Sequence, residues 1–448
     1  MCISEDPVRI KERNNLQEWR ADKFGLFIHW GPSSVAGVEI GWDRMSHPFD
    51  HPGTPSVPDA EYDGLYTRFN PKEFDADFIV RTAKAAGMKY IVFTTKHHDG
   101  FSNWHTKLSD YSIAHTPFKR DICRELADAV HRHGLKLGWY YSTRDWFHPD
   151  YLVGDNSRYN DFYHGQLREL LSNYGEVSLL WFDHVAGQWA DYRFKELFEM
   201  IYTLQPGILG NNRAARFVFP TNDEPDSEIA EIVRGDFDTP EGKIGVFQQD
   251  RPWETCMPMS QMPDGQGGWS YRPEAKTSSF AECAKMLAAC VTGCGNLLMN
   301  VGPMANGCLR PEELANLQAF GPWMKIYGES IYGTQGGPYI NGEWGGCTSK
   351  GNTLYLHIFK WNDGGLKLPA LPRKMLSCRE LGGESVSCIQ TADLLVLKLD
   401  GDRTTELHSV VKIDLEAGEP IPLMPVGRCL TEVLSRKQHS ALENPMGL

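Results

Sequence analysis

Residues 90–98 read YIVFTTKHH, an unbroken run of apolar and β-branched residues that ends in two histidines. A short apolar run of this kind, with helical patterns on both sides, predicts a strand of a parallel sheet. The same pattern recurs through the first three quarters of the chain. The predicted strands are Phe24 to Trp30, Tyr90 to Lys96, Leu135 to Tyr141, Val177 to Asp183, Gly207 to Asn212, Lys243 to Gln248 and Asn296 to Val301.

Amphipathic segments lie between these runs, at Phe74 to Ala86, Arg120 to His133 and Asp161 to Leu171. Alternation of strands and helices indicates repeated βα units, and this pattern predicts a (β/α)₈-like TIM barrel, an α/β fold. Such barrels carry their active sites at the carboxyl ends of the strands. The polar residues at or just after the predicted strand ends are His29, His97, His98, Tyr140, Asp145, Asp183 and Arg213.

The pattern changes after about residue 331, where short alternating runs are separated by Gly, Asn and Asp clusters. Alternation without intervening helices predicts an antiparallel β-sandwich. We therefore expect a catalytic barrel over residues 1–335 and a β-sandwich domain with a tail over residues 336–448.

The net charge of −13, from 45 Lys and Arg against 58 Asp and Glu, argues against a nucleic acid partner. No apolar stretch is long enough to predict a membrane span. The first residues lack a secretory signal, so we expect a cytoplasmic protein, or a periplasmic or secreted one if a leader was removed. Eleven cysteines without a CxxC pair argue against a zinc site and a dense disulfide framework. A homo-oligomer is left open.

Asp183 ends the apolar run LLWFD. A carboxylate at the mouth of a barrel is held rigidly, as a nucleophile requires, whereas the alternative is a helix N-cap. Retaining glycosidases need a second carboxyl group roughly 5 to 5.5 Å away that carries a proton. Glu241 and Glu254 are the candidates for this group, and the residues alone do not separate them.

His97 and His98 suit hydrogen bonding to sugar hydroxyls, because an imidazole can donate and accept. A metal site of His97, His98 and Asp99 is the alternative, although adjacent side chains of an extended strand point to opposite faces. Glu39 and Trp42 offer a further carboxylate and a further aromatic surface. We expect no metal and no organic cofactor.

Several stretches together resemble the family 29 glycoside hydrolases, the α-L-fucosidases. They lie in the family's order over roughly residues 20 to 310. The matching motifs are FGLFIHWG at 24–31, KHHDGF at 96–101, KRDI at 119–122, YYS at 140–142, WFD at 181–183, WETCM at 253–257 and NLLMNVG at 296–302.

The resemblance implies a retaining exo-α-L-fucosidase that removes terminal fucose from glycans or oligosaccharides. It implies Asp183 as nucleophile and Glu241 as acid/base, with Glu254 in reserve. The residues implied to line the fucose subsite are His29, Glu39, His97, His98, Tyr140 and Arg213, with Trp253 as an aromatic wall.

The sequence departs from the family pattern at His184, which follows Asp183 where glycine is common, and after Glu39, where Ile-Gly precedes Trp42. These departures bear on which sugar is bound. An enzyme of the same mechanism acting on an α-L-galactoside or α-L-glucoside is therefore one alternative. Two others are a non-catalytic carbohydrate-binding relative and a metal hydrolase.

Overall fold

The computed structural model describes residues 7–44, 46–47, 51–52, 56–183, 192–214, 232–265, 267–362, 364–401 and 406–426, with backbone alone at 7–13, 46–47 and 51–52. His184 lies outside these residues. The helices are α1 Pro7–Asp22, α2 Asp59–Asp63, α3 Ala76–Ala85, α4 Ile122–His133, α5 Ser157–Asn173, α6 Phe194–Leu204, α7 Phe280–Thr292 and α8 Pro311–Tyr327.

Most strands of the amino-terminal part belong to one parallel sheet. The strands up to the end of this part are β1 Phe24–Ile28, β2 Ser46–His47, β3 His51–Pro52, β4 Tyr90–Lys96, β5 Lys136–Ser142, β6 Leu179–Asp183, β7 Leu209–Gly210, β8 Glu254–Pro258, β9 Ser260–Gln261, β10 Lys276–Thr277 and β11 Asn296–Val301. The order across the sheet is β7-β6-β5-β4-β1-β11-β8. β1, β4, β6, β8 and β11 are buried along their whole length, as expected for strands covered on both faces.

An irregular segment joins the two edges of this sheet. Phe237 forms a parallel bridge with Asn211 just after β7, and Asp238 and Glu241 form parallel bridges with Trp253 and Cys256 of the β8 region. The segment takes the place of an eighth strand, so the sheet has the closed order of a TIM-like barrel. The strand topology confirms the predicted fold class.

The predicted strands at 90–96 and 296–301 are confirmed residue for residue. The strand predicted at Lys243 to Gln248 is wrong, because these residues form no strand and are partly buried or exposed. The strand at this position of the barrel is β8, which begins eleven residues further along and in which all five residues are buried. This shift changes where Glu254 lies in the barrel.

The barrel helices begin and end where local chemistry predicts. The side chain of Asp121 caps α4 by accepting from the backbone amide of Arg124 at 2.8 Å. Gly134 follows the same helix with φ +67°, a left-handed conformation that glycine adopts without strain. Ser279 and Glu282 form a reciprocal capping box at the start of α7.

The carboxyl-terminal part is all β. Its strands are β12 Gln335–Gly336, β13 Gly345–Lys350, β14 Thr353–Ile358, β15 Leu366–Pro369, β16 Met375–Glu380, β17 Val386–Gln390, β18 Leu394–Leu399 and β19 Ser409–Leu415. They form antiparallel sheets of order β12-β13-β14-β19-β16 and β15-β18-β17. A separate apolar core that includes Leu356, Leu397 and Ile413 lies among them. The domain boundary at 335 stays a prediction.

Across the described ranges, no helix has the length and apolar character that crossing a membrane requires.

Candidate active site

Residues on or just after three neighbouring strands, β5, β6 and β7, place polar groups around Asp183, the last residue of β6. The hydroxyl of Tyr140 in β5 donates to Oδ2 of Asp183 at 2.8 Å. Nη1 of Arg213, three residues after β7, donates to Oδ1 at 3.0 Å. Asp183 is 8% exposed, so both oxygens are fixed in a site with little water. The carboxylate is therefore held by a hydroxyl and a guanidinium.

Glu241 lies across Arg213 from Asp183. The same Nη1 atom donates to Oε2 of Glu241 at 2.6 Å. Because one nitrogen contacts both groups, these two oxygens are at most about 5.6 Å apart, closer than the roughly 6.5 to 9.5 Å between the carboxyl groups of inverting glycosidases and compatible with the retaining arrangement. The Glu241 side chain is 41% exposed against 11% for Asp183. The pair thus combines a sheltered carboxylate with one that reaches solvent.

Arg213 is positioned by the segment that closes the barrel. Its Nε donates to the hydroxyl of Thr239 at 2.8 Å and its Nη2 to the carbonyl of Thr239 at 2.9 Å. Burial by itself would lower the pKa of Arg213, but the carboxylates of Glu241 and Asp183 raise it above its ordinary value. The guanidinium therefore stays charged between two acids.

His29 lies one position beyond β1 and is held in a neutral form. Its Nδ1 is 2.7 Å from Oδ1 of Asn300 in the adjacent strand β11. Burial lowers the pKa of His29 to about 4, against the opposing effects of Asn300 and Asp183. The ring of Trp269 lies 5.1 Å from the His29 ring, between centroids. A neutral imidazole beside an indole offers hydrogen-bonding and apolar surface together.

His97 and His98 directly follow the last residue of β4, in a turn closed by the N–H of Gly100, which donates to the carbonyl of His97 at 3.1 Å. Their ring centroids are 4.1 Å apart. Nε2 of His98 is 3.6 Å from Oδ2 of Asp183, and its Nδ1 is 2.6 Å from the hydroxyl of Ser142. Because the chain leaves the extended conformation in this turn, the two adjacent rings can lie together near Asp183.

The geometry also bears on the metal alternative. Asp99 is not beside the two histidines' ligand atoms: it accepts from the Tyr62 hydroxyl at 2.9 Å and from the amide of Phe101 at 3.2 Å. The group with metal-like spacing is His97, His98 and Asp183, whose ligand atoms lie within 4.8 Å of one another. A cation there would share Asp183 with the charged Arg213.

Most of the predicted site residues described so far meet in one pocket at the carboxyl ends of the strands, whereas His98 is not part of its lining and contacts Asp183 at 3.6 Å. The pocket brings together seven residues that the sequence analysis proposed, and four that it did not. The lining residues are Phe27, His29, Trp42, His97, Tyr140, Trp181, Asp183, Arg213, Glu241, Cys256 and Trp269.

Glu254 lies outside this lining, at the opposite end of the barrel. It is the first residue of β8 and is fully buried. The hydroxyl of Tyr90, the first residue of β4, donates to one of its oxygens, and Nε1 of Trp181 donates to the other at 3.3 Å. Burial raises the pKa of Glu254 to about 7. This carboxyl group is enclosed among aromatic side chains.

Glu39 and Trp253 also lie outside the lining. Both oxygens of Glu39 accept backbone amides, from Gly268 at 2.6 Å and from Ser270 at 2.9 Å. Trp253 is 3% exposed and packs against Gly245 and Gly295, where an added Cβ would overlap its ring. The roles predicted for these two residues remain untested predictions.

Sequence reasoning missed Trp269 and Asn300. Trp269 follows a glycine-rich stretch that carries no helix or strand pattern, so nothing in the sequence places its ring in the barrel mouth. Asn300 gave a usable signal, because it is a polar residue near the carboxyl end of the otherwise apolar run 297–301.

Known proteins match the chain over most of its length. The family model described as Alpha-L-fucosidase matches residues 4–329. Human plasma alpha-L-fucosidase is 29% identical over 383 residues, which cover 80% of this chain and 79% of that protein.

Solved structures give the same picture. Alpha-L-fucosidase isoenzyme 1 from Paenibacillus thiaminolyticus is 33% identical with a TM-score of 0.78, covering 91% of this chain and 100% of that one. A Bacteroides thetaiotaomicron alpha-L-fucosidase, solved as a covalent intermediate trapped with 2-fluoro-fucosyl fluoride, is 26% identical with a TM-score of 0.74 over 92% of this chain and 97% of that one. With the family model matched over more than two thirds of its residues, the chain belongs to the alpha-L-fucosidase family of glycoside hydrolases.

Proposed function

We propose that the protein is a retaining exo-α-L-fucosidase that hydrolyses terminal α-L-fucosyl linkages of glycans or oligosaccharides by double displacement. The observation that carries the proposal is the placement of Asp183 and Glu241 on one nitrogen of Arg213, inside an aromatic pocket. Family membership supplies the substrate class.

Asp183 is the proposed nucleophile. Its two oxygens are oriented by Tyr140 and Arg213, and the positive charge of Arg213 favours the ionised form that attacks the anomeric carbon. Tyr140 and Arg213 lie on or just after the two strands that flank β6, so the carboxylate approaches the sugar from a fixed direction. Attack forms the glycosyl-Asp183 ester as the glycosidic bond breaks.

Glu241 is the proposed acid/base. With both acids ionised, one Arg213 cation faces two negative charges, and a proton on either acid removes the surplus. The greater exposure of Glu241 lets it exchange protons with water and reach the leaving oxygen at the mouth of the pocket. In the second step it takes a proton from the water that opens the ester.

The lining suits a 6-deoxy sugar. Phe27, Trp181 and Trp269 present apolar surface, while His29 and His97 present polar nitrogens. Fucose combines one methyl group with ring hydroxyls, whereas α-L-galactosides carry a hydroxymethyl group that would face the aromatic rings. A panel of p-nitrophenyl α-L-fucoside, α-L-galactoside and α-L-glucoside tests this. We expect the highest kcat/KM with the fucoside, and preference for another sugar would reassign the substrate.

The non-catalytic and metal-dependent alternatives are tested on the same fucoside. We expect turnover that Asp183→Asn abolishes and that dialysis against a chelator leaves unchanged. Binding of fucose without turnover by the intact protein would favour the carbohydrate-binding alternative, and loss of turnover on chelation, restored by metal, would favour the metal hydrolase.

A further inference from the structure

The residues on either side of Trp269 donate their backbone amides to one buried carboxylate, that of Glu39. The N–H of Gly268 donates to Oε2 of Glu39 at 2.6 Å, and the N–H of Ser270 donates to Oε1 at 2.9 Å. Glu39 is 4% exposed. Both carboxylate oxygens of Glu39 thus accept hydrogen bonds from the residues immediately before and after Trp269.

The glycines of this segment allow the close approach. A Cβ on Gly267 would lie 2.8 Å from Oε2 of Glu39, and one on Gly268 would lie 2.3 Å from the carbonyl oxygen of Ser260. Both residues have positive φ, which side chains at these positions would oppose. This glycine-rich stretch, which carries no helix or strand pattern, therefore forms a turn built around a carboxylate.

The backbone of Trp269 is also held by a residue next to the sugar pocket, Asn300. Nδ2 of Asn300 donates to the Trp269 carbonyl at 2.7 Å, while Oδ1 of the same amide contacts His29 at 2.7 Å. Trp269 and His29 are thus fixed to one common residue. Displacement of the turn would move the indole relative to the histidine.

Glu39 is itself anchored. Its N–H donates to Oδ2 of Asp43 at 2.5 Å, and Nη1 of Arg272 lies 3.0 Å from the same oxygen. The hydroxyl of Ser270 accepts from the amide of Ile40 at 2.9 Å and lies 3.2 Å from Oε1 of Glu39. The contacts between the two segments run in both directions.

We infer that Glu39 is a positioning residue for the sugar pocket: it controls substrate affinity by holding Trp269 beside His29, and it does not itself contact the sugar. The inference rests on the proposed function, because the affinity in question is that for a fucoside. The two hydrogen bonds from the Gly268–Ser270 turn to Glu39, called the clamp below, can be measured without turnover.

A double-mutant cycle tests the inference. We expect Glu39→Gln to raise KM for the aryl fucoside, and Ki for L-fucose, about 5- to 100-fold, because one oxygen that accepts an amide becomes a donor. Trp269→Ala should raise KM similarly. The double variant should match Trp269→Ala within about twofold, because Glu39 has nothing left to position. Additive effects, or an unchanged KM in Glu39→Gln, would overturn the inference.

A matched control is Glu380→Gln in the β-sandwich. Glu380 is also buried and also accepts two backbone amides, from Glu384 at 3.1 Å and Val410 at 3.2 Å. We expect this variant to lose stability while keeping KM. If Glu39→Gln does not fold, Glu39→Asp, which keeps the charge but shortens the reach, takes its place in the cycle.

Hydrogen–deuterium exchange separates this inference from the proposed function. Peptides covering 267–270 should exchange at least about tenfold faster in Glu39→Gln than in the wild type and in Glu380→Gln, since amides that lose an acceptor open more often. Unchanged exchange there would overturn the clamp even in an active enzyme. Faster exchange in a protein without fucosidase activity would leave the clamp in place and overturn the function.

Discussion

The carboxylates of Asp183 and Glu241 are joined through a single atom, Nη1 of Arg213, at 3.0 and 2.6 Å. One guanidinium therefore orients both acids that the proposed mechanism needs. Thr239 holds the other side of Arg213 with two further hydrogen bonds. Loss of this fork should disturb nucleophile and proton donor together.

Arg213→Lys tests that relationship. A lysine keeps the charge, but its single ammonium cannot reproduce the fork that contacts Thr239 and both carboxylates. We expect kcat/KM for the aryl fucoside to fall about 100-fold or more, with the melting temperature changed little. The measurement is steady-state kinetics beside a thermal melt. Wild-type kinetics in Arg213→Lys would show that the shared guanidinium is dispensable.

Tyr140→Phe removes the hydroxyl that donates to Oδ2 of Asp183 and leaves the ring in place. A hydrogen bond to a charged group contributes about 1.5 to 3 kcal/mol, so we expect kcat to fall about 10- to 150-fold. Because the ring still lines the pocket, KM should change much less. A variant with raised KM and unaltered kcat would place the hydroxyl on the sugar instead of on the nucleophile.

Variants of the two residues decide between Glu241 and Glu254 as the acid/base. Glu241→Ala should lose most activity toward substrates with poor leaving groups and recover turnover of activated aryl fucosides with azide, which needs no base and yields the retained azide. Glu254→Gln should keep activity and show no azide effect, because its carboxyl group is enclosed at the other end of the barrel. Azide rescue in a Glu254 variant would exchange the two roles.

The stability of the protein should carry the pH signature of Glu254. Burial raises the pKa of this group from 4.5 to about 7 in the folded state. Between these two values the folded protein keeps a proton that the unfolded chain has already lost, so raising the pH favours unfolding. The free energy of unfolding is therefore highest, as far as this group is concerned, below pH 4.5, and it falls as the pH rises through 7.

Glu254→Gln does not titrate, which makes it the reference for this effect. Between pH 5 and pH 8 the free energy of unfolding of the wild type should fall by about 2 to 3 kcal/mol relative to Glu254→Gln, measured by urea denaturation. Parallel profiles of the two proteins would mean that the buried carboxyl titrates normally.

Much of the fold was predictable because the barrel strands are buried on both faces and so read as apolar runs. The polar residues that end these runs also converge as expected at Asp183, Tyr140 and Arg213. The alternation of short apolar runs after residue 331 likewise predicted the antiparallel sheets around Leu356 and Leu397.

The choice between Glu241 and Glu254 was not predictable, for a physical reason. The barrel is closed by an irregular segment whose bridges leave no periodic signal, so the sequence pattern predicts a strand at 243–248, whereas the strand lies at 254–258. With the observed strand, Glu254 falls at the amino end and Glu241 at the mouth. Trp269 was missed for a similar reason, because its position depends on backbone hydrogen bonds to a distant Glu39.

The central claim is that Asp183 is the nucleophile of a retaining α-L-fucosidase. The most direct test is incubation with 2-fluoro-fucosyl fluoride, because its fluorine at C2 slows hydrolysis of the glycosyl-enzyme. The readout is mass spectrometry of the intact protein and of its peptic peptides. We predict one fluorofucosyl group per chain, on the peptide that contains Asp183, and none in Asp183→Asn. A label on another residue, or turnover of the fucoside by Asp183→Asn at the wild-type rate, would contradict the account.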